Sequence, residues 1–216
     1  MPIESRFTVD IPQCSIQKWI LGSSSGPLPE SKAWIDPDDT TRFLSLSGAR
    51  LLAKRIAVGL KDHGLQPGDR VLIFSGNSIY FPALVLGTWM AECIFTGANP
   101  GYTARELAFQ LQDSQASVLL TAPENVKIAL EAAQSCGLSA NNIFLLDRRL
   151  DTQAEDFERL PRGPSPRSWT QLIASKSRGD AFDWVEPHRS EDTVCTLNYS
   201  SGTVCLTLHP QDYVWH

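Results

Sequence analysis

Arg70-Val71-Leu72-Ile73-Phe74-Ser75 decides the fold. Side chains alternate between the two faces of a strand, so an unbroken apolar run needs cover on both. Pro67-Gly68-Asp69 in front of it has the composition of a turn. Working outward, Ile94-Phe95-Thr96, Ser117-Val118-Leu119-Leu120-Thr121, Ile143-Phe144-Leu145-Leu146 and Thr193-Val194-Cys195-Thr196-Leu197 read as further buried strands, and Phe43-Leu44-Ser45-Leu46 as a short one. Helical spacing fills the gaps. Leu51, Leu52, Ile56 and Leu60 recur on one face of a helix capped by Ser47 and stopped at Gly64, after His63. A second helix is expected from Asn77 or Ser78 to about Glu92. A third runs from Ala104 to about Gln112, with Thr103 and Glu106 spaced as a capping box. A fourth runs from Glu124 to Ser135, ending near Gly137. Alternation of helices with continuous apolar strands predicts an α/β fold, a mostly parallel, doubly wound sheet with helices on both faces.

Two stretches stand outside that rhythm. Residues 1–42 read as an irregular N-terminal segment with a short helix over Ile16 to Leu21, a Gly22-Ser23-Ser24-Ser25-Gly26-Pro27 connector and an Asp36-Pro37-Asp38-Asp39 turn. Residues 148–168 are polar and proline-rich and read as a surface loop, followed by a short helix over Trp169 to Ala174.

Composition removes several classes of function. The 216 residues are 42% hydrophobic and 20% charged, an ordinary globular balance. Acidic residues outnumber basic ones 24 to 19, and the basic ones form no block or stripe, so no nucleic-acid partner is expected. Cys14, Cys93, Cys136, Cys195 and Cys205 are scattered and unpaired in sequence, as reduced thiols of a cytoplasmic protein would be. His63, His188, His209 and His216 sit at no ligand spacing to them, so no metal site is expected. The N-terminus lacks the apolar core of a signal peptide. The most apolar window, Ile79 to Phe95, is broken by Pro82 and Glu92 and is shorter than the roughly 20 residues of a membrane span. Without secretion, the Asn198-Tyr199-Ser200 match to a glycosylation site is idle.

The stretch with chemistry in it is Tyr199-Ser200-Ser201-Gly202-Thr203. Rotatable hydroxyls supply donors that suit an anion, and glycine lets backbone N–H groups approach it. It is a candidate phosphate-gripping loop. The dinucleotide fingerprint, the Walker motif and the Gly-x-Ser-x-Gly elbow are all absent. Glu191-Asp192 reads as solvated carboxylates at a strand start.

In order along the chain come Asp69-Arg70-Val71, Ser75-Gly76-Asn77-Ser78, Gly97-Ala98-Asn99-Pro100-Gly101-Tyr102-Thr103-Ala104-Arg105-Glu106-Leu107 and Leu197-Asn198-Tyr199-Ser200-Ser201-Gly202-Thr203. This ordered set resembles the adenylate-forming (AMP-binding) acid–thiol ligases, most closely the fungal 4-coumarate–CoA ligase-like acyl-CoA synthetases, from about Ser5 to Thr203. The resemblance implies activation of an aromatic or medium-chain carboxylic acid, in the setting of secondary metabolism. The carboxylate attacks the α-phosphate of ATP, pyrophosphate leaves, and the thiol of coenzyme A displaces AMP, with Mg²⁺ assisting. It also implies that Ser200, Ser201, Gly202 and Thr203 grip the β- and γ-phosphates, that Asn198 and Tyr199 anchor the loop, and that Asn99 to Leu107 serves the fold. No catalytic or metal-ligating residue is assigned.

The chain departs from that family after Thr203. The pattern Thr-Gly-x-Pro-Lys-Gly-Val is replaced by Val204-Cys205-Leu206-Thr207 and a divergent tail over 204–216. Loss of the loop's lysine removes one charge-assisted phosphate contact, about 1.5–3 kcal/mol. The family's acid pocket, adenine and ribose segments, Mg²⁺ carboxylate and mobile C-terminal domain would all follow this point. The expectation is a partial adenylation domain over 43–203, truncated at the phosphate loop and catalytically incomplete. It would be cytoplasmic, with no peroxisomal signal of the kind intact relatives carry, and prone to self-association through uncovered apolar surface. The alternatives are a non-catalytic α/β module that binds a nucleotide or a protein, or half of an enzyme completed by a second chain.

Overall fold

The computed structural model describes residues 9–147 and 166–200. Its centre is β3 (Arg70–Phe74), the stretch from which the fold was read. The sheet is completed by β4 (Ile94–Ala98), β5 (Ala116–Thr121), β6 (Ile143–Leu145), β7 (Arg167–Ser168) and β8 (Thr196–Leu197) in the order β7-β6-β5-β3-β4-β8. Every pairing in this sheet is parallel. Alternation along the central strands shows why the runs had to be continuous. Val71, Ile73, Val118, Leu120 and Phe144 belong to one buried cluster; Leu72, Phe74, Leu119 and Ile143 belong to another. The first cluster is shared with α2 (Leu46–Asp62) and α3 (Phe81–Met90), the second with α4 (Ala104–Asp113) and α5 (Val126–Cys136). Both faces are covered, and the expected doubly wound arrangement is observed.

Side-chain caps set the starts of α2 and α4. The capping box of α4 is present: Thr103 N–H and its hydroxyl both donate to Glu106 Oε2 at 2.8 Å, and Glu106 N–H returns to Thr103 Oγ1 at 3.4 Å. These bonds hold the Glu106 carboxyl below its ordinary pKa, chiefly through the backbone N–H of Thr103. A lowered folded-state pKa means the contribution is complete above the ordinary glutamate range and is lost as pH falls through the folded value. Thr103→Ala is therefore expected to cost about 1 kcal/mol at neutral pH. Because the backbone N–H survives that change, the acid limb is tested by Glu106→Gln, which removes the titrating carboxyl and should flatten the stability–pH curve read by urea unfolding between pH 3 and 7; an unchanged acid limb in that variant would contradict the assignment.

Four boundaries differ from the sequence reading. The cap of α2 is Ser45, whose Oγ accepts from Gly48 N–H at 3.0 Å; Ser47 lies inside the first turn and donates to Glu30 Oε1 at 2.6 Å. Helix α3 begins at Phe81, not at Asn77 or Ser78, because Pro82 is tolerated only in a first turn, where its missing N–H has no partner to lose. Residues 167–168, expected within a loop, form edge strand β7 beside β6; positions 148–165 of that expected loop lie outside the described residues. Strand β8 is shorter and less buried than the run Thr193 to Leu197 suggested, since among the described residues it occupies the opposite edge, paired with β4 alone.

The N-terminal segment is more ordered than its composition suggested. Helix α1 (Ile16–Leu21) forms as expected and buries Leu21 and Gln17. Beyond it, β1 (Lys32–Ile35) pairs antiparallel with β2 (Phe43–Ser45). The turn between them is closed by an Arg42–Asp36 ion pair at 2.7 Å and by Asp38 N–H on Asp36 Oδ1. Strand β1 carries no alternating apolar pattern, so periodicity alone could not reveal it. The Gly-Ser connector is fastened too: Arg50 donates to Ser23 O and Lys54 Nζ to Ser24 O.

Candidate functional site

The candidate loop leaves the sheet from β8, and three bonds fix that strand's backbone. Phe95 N–H donates to Cys195 O at 2.9 Å, Trp89 Nε1 donates to the same carbonyl at 2.8 Å, and Thr96 Oγ1 donates to Leu197 O at 2.9 Å. Thr96 is itself held. Gln110 Nε2, on α4, donates to Thr96 Oγ1 at 2.9 Å and to Gly97 O at 3.1 Å. Edge strands of two residues are weak by themselves; side-chain bonds to their carbonyls compensate.

Tyr199 is the next fixed point. Its hydroxyl donates to Asp113 Oδ2 at 2.6 Å, at the end of α4. Burial, reinforced by the Asp113 carboxylate, pushes the phenol pKa well above its usual value, so Tyr199 remains a proton donor throughout the neutral range. This agrees with an anchoring role. Asn198, expected to share that role, is exposed, as is Ser200. Ser201, Gly202 and Thr203, and with them the tail 204–216, lie outside the described residues. The structure thus places the entrance of the candidate loop at the carboxyl end of an edge strand, the end of a parallel sheet where ligands are bound.

The Asn99 to Leu107 stretch forms the expected turn and capped helix. Asn99 Oδ1 accepts from Gly101 N–H at 2.9 Å, Asn99 O accepts from Tyr102 N–H, and the capping box follows directly. Glu191 and Asp192 are exposed and ion-paired to Arg189 at 3.0 Å. Cys93 is buried, and burial pushes its thiol pKa up to about 11, so it is no nucleophile at neutral pH. His63 meets Asn142 Oδ1 at 3.1 Å and packs edge-on against Phe144. Among the described residues no group of His, Cys, Asp and Glu could hold a metal ion, and no helix is long and apolar enough to cross a membrane.

Sequence reading missed Thr96, Gln110 and Asp113. One signal was available. Gln110 sits between Leu107 and Leu111 on the buried stripe of α4, and a polar residue inside an apolar stripe requires a buried partner.

Comparison with known proteins joins these observations. The family model described as AMP-binding enzyme matches residues 27–205. An acyl-CoA ligase of Aspergillus niger, azaF, is 34% identical over 209 residues, 95% of this chain and 37% of the relative. Phenylacetyl-CoA ligase epaB of the same species is 34% identical over 209 residues, again 95% of this chain and 36% of the relative. In fold, the anthranilate CoA ligase AuaEII, solved with anthranoyl-AMP, superposes with a TM-score of 0.66 at 20% identity over 89% of this chain and 32% of that one. The chain spans about 37% of the length of the curated relatives it matches. The family match begins inside the N-terminal segment and runs past the end of β8. With the parallel sheet, the ordered motifs and this match in agreement, the chain belongs to the AMP-binding enzyme family.

Proposed function

We propose that this chain supplies the triphosphate-binding edge of an acyl-CoA ligase, with Ser200, Ser201, Gly202 and Thr203 donating to the β- and γ-phosphates of ATP. The observation that carries the reading is the anchoring of β8. Its last carbonyl and the Tyr199 hydroxyl are both fixed, so the hydroxyl- and glycine-bearing segment leaves from a rigid point. Preorganised donors at such a point hold charge that develops on departing pyrophosphate without reorganising at the moment of reaction. In the ligase as a whole, a carboxylate oxygen would attack the α-phosphorus, the bond to pyrophosphate would break, and coenzyme A would take the acyl group from AMP, with Mg²⁺ on the phosphates. The acid would be aromatic or of medium chain length. The expected domain, over 43–203, is the unit that carries this edge.

The 216 residues alone are expected to bind ATP weakly and to catalyse no adenylation. Without the loop's lysine the affinity for triphosphate falls by about 1.5–3 kcal/mol, roughly tenfold to a hundredfold. Two measurements test this: calorimetric titration with ATP, and ATP–pyrophosphate exchange with benzoate, phenylacetate and medium-chain acids. Millimolar ATP affinity without exchange is the expected result. Tight binding without exchange would favour a nucleotide-binding module, and turnover by the purified chain would overturn the incomplete-ligase reading. Trp19 on α1 and Phe109 on α4 stand exposed, and self-association through such side chains belongs to the same reading. It would appear as a concentration-dependent sedimentation coefficient.

A further inference from the structure

Two side chains one helical turn apart on α4 act on the segment that leaves β8. Gln110, only 1% exposed, lies on a stripe otherwise made by Leu107 and Leu111, where a third apolar side chain would pack without any polar demand. A buried amide is costly unless it is hydrogen-bonded; Gln110 leaves its Oε1 buried without a hydrogen-bond partner, while its Nε2 makes two specific bonds. By donating to Thr96 Oγ1 it occupies a lone pair of that hydroxyl, which leaves the hydroxyl proton free to point at Leu197 O. A second donation to Gly97 O fixes the amide itself. Asp113 ends α4, a place where the helix dipole disfavours a carboxylate. Its contact is the Tyr199 hydroxyl at 2.6 Å, the shorter, stronger kind of bond that a carboxylate accepts. One side chain thus orients the backbone of β8 at Leu197, and the other holds the side chain of Tyr199.

We propose that Gln110, acting through Thr96, and Asp113, acting through Tyr199, are positioning residues that set the direction in which the chain leaves the sheet at Ser200, and thereby its affinity for a triphosphate. The proposal rests on the phosphate-binding reading above. Neither residue touches the nucleotide.

The test compares the full chain with Asp113→Ala, Asp113→Asn, Tyr199→Phe and Gln110→Leu. Three readouts are ATP titration, the urea unfolding midpoint, and hydrogen exchange of the backbone amides from Thr196 to Tyr199. Asp113→Ala and Tyr199→Phe should weaken ATP about tenfold, the ratio set by one hydrogen bond to a charged group. Asp113→Asn keeps an oxygen acceptor and should restore binding to within about threefold of the parent chain. A merely structural role would not give that rescue; it would lower the unfolding midpoint in proportion to the affinity lost. Equal affinity in Asp113→Ala and the parent, or equal weakening in Asp113→Ala and Asp113→Asn, would overturn the proposal. Where the parent chain takes up no ATP, the phosphate-binding reading fails by itself and exchange decides the positioning. Tyr199→Phe and Gln110→Leu should then speed exchange from Thr196 to Tyr199 about tenfold while the β3 amides stay unchanged. Unchanged exchange at β8 would overturn it.

Discussion

Gly59→Ala is expected to destabilise the protein strongly, although alanine is the better helix former. Gly59 lies in α2, where replacement of glycine by alanine gains about 1 kcal/mol in intrinsic propensity. A methyl group there would stand 1.9 Å from Leu172 O and 2.4 Å from Leu172 C. Both are backbone atoms of the tight turn Trp169–Leu172, so no side chain can swing aside. Overpacking against a fixed backbone costs about 3 kcal/mol or more, which exceeds the propensity gain and is a large part of a typical stability of about 5–15 kcal/mol. Gly87, in α3, repeats the situation where α2 and α3 cross: its methyl would meet Ala53 O and Ile56 Cβ at 2.8 Å. Urea unfolding monitored by tryptophan fluorescence should show the midpoint falling in both variants, further in Gly59→Ala. A Gly59→Ala protein as stable as its parent would mean that the packing of α2 on the 169–172 turn is wrong.

Trp169→Ala is the second large effect, for the opposite reason. Trp169 is completely buried, its ring lies 5.4 Å from that of Tyr80, and its Nε1 donates to Asp147 O at 3.2 Å. It is the residue directly after β7, so it pins the outer edge of the sheet to the end of the β6 segment. Removing the ring leaves a cavity that the surrounding Leu and Ile side chains cannot fill, at a cost of about 3–5 kcal/mol. Trp169→Phe keeps most of the volume and removes only the bond to the Asp147 carbonyl, about 1 kcal/mol. The ratio of the two losses distinguishes ring packing from the hydrogen bond. Equal losses would show that the Asp147 contact, not the ring, carries the position.

What was legible in the residues follows from the same physics. Strands buried on both faces announce themselves as apolar runs, and β3, β4, β5 and β6 were found within a residue or two of their observed ends. The α4 capping box was legible because its bonds are local and its residue types specific. Strands β1 and β7 were not, because both are short, lie at edges and carry little apolar pattern; pairing across the fold creates them. The cap of α2 was misplaced by two residues because Ser45 and Ser47 offer the same hydroxyl and both donate to Glu30; the Gly48 N–H, which donates to Ser45 Oγ, separates them.

The candidate site divides in the same way. The hydroxyl and glycine pattern from Ser200 to Thr203 can be read from residue types. Its support cannot, since Thr96, Gln110 and Asp113 lie about ninety to a hundred residues earlier and meet β8 only through a parallel pairing. Tyr199 was read as an anchor from its place in the motif, and the hydrogen bond to Asp113 gives that reading a partner.

The most direct test is hydrogen exchange of the whole chain with and without millimolar ATP, followed by peptide mass spectrometry. Slowed exchange confined to the peptides spanning 194–203 is the expected result, and it should be lost when Ser200 and Ser201 are both replaced by alanine. ATP-dependent protection elsewhere in the chain, or protection at 194–203 that survives the double replacement, would contradict the assignment of the triphosphate to the segment that leaves β8.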